Sequence, residues 1–90
     1  MRILWDESKR QRNIDKHDID FIYAQRVFDG RPVVTSQSTF AEELRWITTG
    51  LIEDRFYTVI WTEREESIRI ISARRARDAE KRTYRQLHPG

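Results

Sequence analysis

The sequence contains no cysteine, which excludes disulfides and thiolate metal sites and leaves nothing that points to an oxidising compartment. With only three glycines it has no phosphate-cradling loop, so ATP or dinucleotide binding is not expected. His17 and His88 lie far apart and outside any ligand-spaced cluster with carboxylates, so neither a metal nor another cofactor is implied. No serine or threonine sits in an elbow context that would signal a nucleophilic triad. No apolar stretch approaches the roughly 20 residues a membrane span needs, and the opening MRILWDESK lacks a signal-peptide core. The expectation is a cytoplasmic protein without a membrane partner.

What is present fits one small domain covering residues 1–90. A chain of this length buries only roughly 60 to 65% of the surface its unfolded form exposes, so the core is thin. Hydrophobic residues make up 38% of the chain and charged residues 36%, but three Trp, three Tyr and four Phe supply enough large apolar groups to argue against disorder. The 17 basic and 15 acidic residues nearly cancel to +2, so the distribution of charge says more than the sum. From Glu63 onward, eight Lys or Arg and His88 stand against five acids, three of them crowded at Glu63, Glu65 and Glu66. Beyond Glu66 the chain is therefore basic. That is the footprint of a phosphate backbone, or equally of a solvated Arg-rich helix face.

Periodicity divides the chain into a helical first third and a strand-rich remainder. Residues 1–4 form a short opening strand, after which Asp6 is placed to cap a helix over residues 7–17. That helix, ESKRQRNIDKH, is nearly all polar and belongs on the surface. A second helix starts at Asp18 with a stripe of Phe21, Ala24, Val27 and Phe28, and Gly30 and Pro32 close it. Four strands follow over residues 33–38, 44–49, 56–62 and 67–73, with short antiparallel connections between the last three. A hairpin centred between Arg64 and Glu65 sets Trp61 opposite Ile68 and Val59 opposite Ile70. With a similar turn in LIED, this collects Leu44, Trp46, Tyr57, Val59, Trp61, Ile68 and Ile70 on a face that seats the helices. The other face carries Arg45, Ile47, Thr49, Phe56, Thr58, Ile60, Thr62, Arg69 and Ile71, half exposed and suited to binding. A last helix covers residues 77–87. The fold class is α+β.

RNA can be cut without a metal when a base removes the 2′-OH proton, cations stabilise the phosphorane charge and an acid protonates the leaving oxygen. The sequence owns each part. Arg69, between Ile68 and Ile70, projects from the face opposite theirs. Arg74 and Arg75 end the same strand and point to opposite sides, so one of them is free to pair with an acid such as Glu80 or to meet a partner. Glu63 is a candidate base or a solvated hairpin acid. His17 is a candidate acid or base, or a complement to its helix dipole. Tyr84 either stacks on a nucleobase or packs its own helix.

WDESK at 5–9, KHDIDF at 16–21, VFD at 27–29, ELRWI at 43–47, VIWTERE at 59–65 and IRIISARRA at 68–76, followed by Glu80 and Tyr84, resemble the BrnT family of bacterial toxins across almost the whole chain. Asp18 stands where that family usually has glycine, and Trp61 where Tyr or His is common. The resemblance implies a RelE-like two-layer fold: an antiparallel sheet of about four strands, two N-terminal helices and a C-terminal helix. It implies a metal-independent ribonuclease that arrests translation. Its implied antitoxin is BrnA-like, carries a ribbon-helix-helix domain, and binds operator DNA so that the complex represses its own operon. Carried over residue by residue, the active positions fall on Glu63, Arg69, Arg74 and Arg75, joined by His17 as a further catalytic candidate and Tyr84 as a substrate contact; Arg45, from the half-exposed sheet face, is a second substrate contact. The alternative is a noncatalytic module that grips RNA or a protein partner with the same basic face. A weaker alternative is inhibition of another protein.

Overall fold

A computed structural model describes residues 2–40 and 42–90, without the side chain of Phe40. Strand β1 (Arg2–Trp5) leads into helix α1 (Glu7–His17); Met1, expected at the start of the strand, lies outside the described residues. Asp6 caps α1 as its position predicts, its carboxylate accepting the Ser8 amide at 2.8 Å and the Lys9 amide at 3.3 Å. The helix ends on Asp18, which takes the left-handed conformation at φ 56° and returns its amide to the Ile14 carbonyl.

The second helix starts later and is tighter than its stripe suggested. Asp20, not Asp18, is the cap, and only Phe21–Ala24 (α2) is α-helical before residues Gln25–Phe28 continue as a 3₁₀ turn. The physical reason is visible in the spacing: Phe21, Ala24 and Val27 recur every three residues, the period of a 3₁₀ helix. All three are almost fully buried.

Strands β2 (Val33–Phe40), β3 (Glu43–Ile52), β4 (Arg55–Arg64) and β5 (Ser67–Arg75) follow, then helix α3 (Asp78–Leu87). The sheet has five strands in the order β1-β5-β4-β3-β2, and β1 runs parallel to β5. The sheet is thus mixed rather than antiparallel with four strands. The two hairpins turn through Glu53–Asp54 and Glu65–Glu66, each pair at positive φ. Two consecutive left-handed residues make the tight turn that matches strand twist, and it needs both turn residues outside the ladder. The register is accordingly Trp61 opposite Ile70 and Glu63 opposite Ile68, two residues away from the expected pairing. A shift of two leaves every side chain on its expected face.

One irregularity does change faces. Between Ile60 and Trp61 the β4–β5 register slips, so that Ile60 pairs with Ser72 while Trp61 pairs with Ile70, and Ile71 is the extra residue of a bulge. Beyond it the alternation inverts: Ala73 and Arg75 join the face of Val59 and Tyr57, while Arg74 joins Thr58.

The face carrying Tyr57, Val59, Ile68, Ile70 and Ala73 meets Ile19, Phe21, Ala24 and Val27 in the core. Leu44, expected there, lies beyond the helices and is 45% exposed, and Thr48 takes the position opposite Val59. Helix α3 packs on the other face, where Tyr84 meets Phe56 edge-on at 5.1 Å and the His88 ring nitrogen lies 3.0 Å from the Val33 carbonyl oxygen. The helices therefore cover both sides of the sheet rather than forming a second layer on one side. Among the described residues no helix is long and apolar enough to cross a membrane.

Candidate functional site

β1 accompanies β5 only as far as Ile70, so the edge of β5 is bare beyond that point. Asn13 fills the gap. Its side-chain oxygen accepts the Ala73 amide at 3.1 Å, while its nitrogen donates to the Ala73 carbonyl at 2.9 Å and to the Ile19 carbonyl at 2.8 Å. A buried amide thus stands in for a neighbouring strand and satisfies both backbone groups of Ala73. The contact fixes α1 across the end of β5.

Lys9, Arg12, Asn13 and Lys16 follow i, i+3, i+4, i+7, one stripe along α1. With His17 they form one wall of an open groove of about 540 Å³, whose other wall is Ile71, Ser72, Arg74 and Arg77. The bulge at Ile71 and the strand edge thus supply one wall, and α1 supplies a cationic one. No carboxylate lines the groove.

Arg74 is held in place from behind. Its guanidinium donates to both oxygens of Glu80, at 2.8 and 2.9 Å. Glu80 also accepts the Arg77 amide at 2.8 Å and the Thr58 hydroxyl at 3.0 Å, and Thr58 lies 2.8 Å from the Thr49 hydroxyl. Burial pushes the Glu80 carboxyl up, but Arg74, the Arg77 amide and Thr58 outweigh it and hold it at about 2. Glu80 is therefore an ionised anchor that sets the pose of Arg74 and caps α3 at once.

The other expected site residues are dispersed. Arg75 leaves from the opposite face, its guanidinium 5.5 Å from the centre of the Tyr57 ring. Arg69 sits opposite Thr62, and its charge adds to the Lys9 and Ser8 amides that keep the Asp6 carboxyl below its ordinary range. Glu63 is exposed on the Trp61 side of the sheet, in a separate hollow with Glu43, Leu44, Trp46, Thr62 and Arg64. Arg45 donates to Glu43 at 3.1 Å. Tyr84 packs between Phe56 and His88. Of the expected set, the structure thus brings His17 and Arg74 into one groove and leaves Glu63, Arg69, Arg75, Arg45 and Tyr84 outside its lining.

Lys9, Arg12, Lys16 and Arg77 are the cationic groove residues the sequence expectation did not include. The stripe in α1 was the signal for the first three: a helix with little apolar content still has a regular cationic face, whereas Arg77 comes from the start of α3. Among the described residues no three His, Cys, Asp or Glu side chains come together as a set that would hold a metal.

A groove lined by five Lys or Arg side chains and one imidazole has the chemistry to hold phosphate. The class of protein follows from the match of residues 5–80 to the family described as the ribonuclease toxin, BrnT, of type II toxin-antitoxin systems. The chain belongs to the BrnT family. The match takes in every groove residue and ends at Glu80, so Tyr84 falls beyond it. No curated protein matches the chain.

Proposed function

We propose that the groove between α1 and β5 binds the RNA backbone and that the protein cuts RNA there without a metal. The supporting observation is its lining: five Lys or Arg side chains, one His and no carboxylate. Lys9, Arg12, Lys16 and Arg77 hold successive phosphates, and Arg74, braced by Glu80, presents a fixed cation to the scissile one. His17 is the side chain in the groove suited to moving a proton, taking it from the 2′-OH as that oxygen attacks phosphorus. The P–O5′ bond breaks and the departing 5′ oxygen takes a proton from solvent water, leaving a 2′,3′-cyclic phosphate and a 5′-hydroxyl. In this scheme the base is His17, because Glu63 lies on the other face of the sheet, and Arg69 contributes from the near end of β5. Arrest of translation follows from loss of transcripts. We further propose a ribbon-helix-helix antitoxin as the neutralising partner, with the complex repressing its own operon through that domain. A cytoplasmic site of action fits both proposals.

The deciding experiment is RNA cleavage by the purified chain in EDTA. Wild type cuts, His17→Ala loses cutting at least 100-fold but still binds, and Arg12→Glu with Lys16→Glu loses binding and flattens its salt dependence. Cutting that EDTA abolishes, or that Glu63→Gln removes while His17→Ala does not, overturns the scheme. A second reading has its own observation, since the groove holds a single residue suited to proton transfer. Binding without new RNA ends would favour the noncatalytic module.

A further inference from the structure

The two edges of the sheet are treated differently. On one side β1 is only four residues long and begins with Arg2, and Asn13 occupies the backbone of β5 beyond it. Short strands, charges and covering groups are the usual protections against pairing with another chain. On the other side β2 runs for eight residues, VVTSQSTF, in unbroken register with β3. It carries no charge. Residues 32–41 are the longest charge-free run in a chain that is 36% charged. At one end of the strand the His88 ring nitrogen lies 3.0 Å from the Val33 carbonyl oxygen. β2 is the last strand of the sheet, and Thr35, Ser36, Gln37 and Thr39 along it are exposed.

We propose that β2 is the interface of a symmetric homodimer, in which two copies pair their β2 strands antiparallel into a continuous ten-stranded sheet. Charge selects this occupant. A partner chosen by electrostatics would go to the cationic groove, three strand spacings or about 14 Å across the sheet. Two copies of VVTSQSTF meet about a two-fold axis with no like charges opposed, and the threonines, serines and glutamine face one another as acceptable cross-strand pairs. The axis stands perpendicular to the sheet. Each face of one copy thus continues into the same face of the other, and both grooves stay open at the outer ends. The inference does not depend on the ribonuclease scheme.

Sedimentation equilibrium on the full chain tests it. The expected result is a reversible species of twice the 10.9 kDa chain mass. Gln37→Lys, at an exposed position, raises its dissociation constant at least 10-fold and leaves the circular dichroism unchanged. Because the chain has no cysteine, Ser36→Cys and Gln37→Cys each introduce a single thiol. One of the two gives a disulfide-linked dimer under mild oxidation, while Asp54→Cys in the β3–β4 turn does not. A monomer at every concentration overturns the proposal, as does a dimer indifferent to Gln37→Lys or cross-linking equally well at Asp54→Cys. Protection of the β2 amides only when a different protein is added overturns it too, and assigns the edge to that protein.

Discussion

The two faces of the sheet hold their helices by different means. On one face Phe21, Ala24 and Val27 sink into an apolar layer with Val59, Ile68 and Ile70, all of them buried. On the other, α3 buries no residue of its own and is attached by Glu80, by the edge-on contact of Tyr84 with Phe56 and by His88. The difference teaches that the first face carries the stability of the fold, whereas the second is a polar latch whose strength depends on charge. Three measurements test that division.

The largest effect belongs to the apolar face. Phe21→Ala should cost about 3–5 kcal/mol, because it empties a fully buried site in a thin core. Urea denaturation should show one cooperative transition moved to much lower denaturant; a loss under 1 kcal/mol would break the comparison. The latch comes next. Glu80→Gln should cost about 2 kcal/mol through its charged hydrogen bonds, and amide exchange should quicken in α3 before it does in β4 or β5. The folded Glu80 carboxyl lies at about 2 against an ordinary 4.5. Its contribution is therefore present above pH 4.5 and is lost as pH falls towards 2, and α3 of the wild type should loosen through that window. Glu80→Gln should be loose throughout and insensitive there. The smallest effect lies away from both faces. Asp18→Gly relieves a left-handed residue and should stabilise by about 0.5 kcal/mol, seen as a rise of a few degrees in Tm.

The same division explains what was legible in the sequence. Asp6 and the polar run after it marked α1 to the residue, and β-branched and aromatic alternation marked all four long strands. Local chemistry sufficed in each case. The hairpin centres were displaced by one residue because Glu53–Asp54 and Glu65–Glu66 make their turns without the Asn or Gly that ordinarily advertises one. The side of the sheet taken by α3 was not legible, since Glu80 reaches Thr58 across 22 residues and no periodicity encodes that pairing. An acid such as Glu80 was expected for whichever of Arg74 and Arg75 did not share the face of Arg69, but Arg74 shares that face and takes Glu80 as well. Which arginine it would be depended on the bulge, a tertiary event. The wall formed by Lys9, Arg12 and Lys16 was written in the helix spacing but had no meaning until Asn13 placed α1 against β5.

The bulge at Ile71 acts on the end of β5 as a frameshift acts on a message. Everything after it is displaced by one position, so two neighbouring arginines exchange destinations: Arg74 goes to Glu80 and the groove, and Arg75 to the Tyr57 ring. Deleting Ile71 would restore strict alternation and leave Arg74 opposite Thr58, whereas keeping the residue but pairing it with Ile60 would put Arg74 opposite Tyr57 and turn Arg75 to the face that Arg74 now holds. A family that drifts by point substitution can vary either arginine separately, but drawing the bulged residue into the ladder exchanges both surfaces at one stroke.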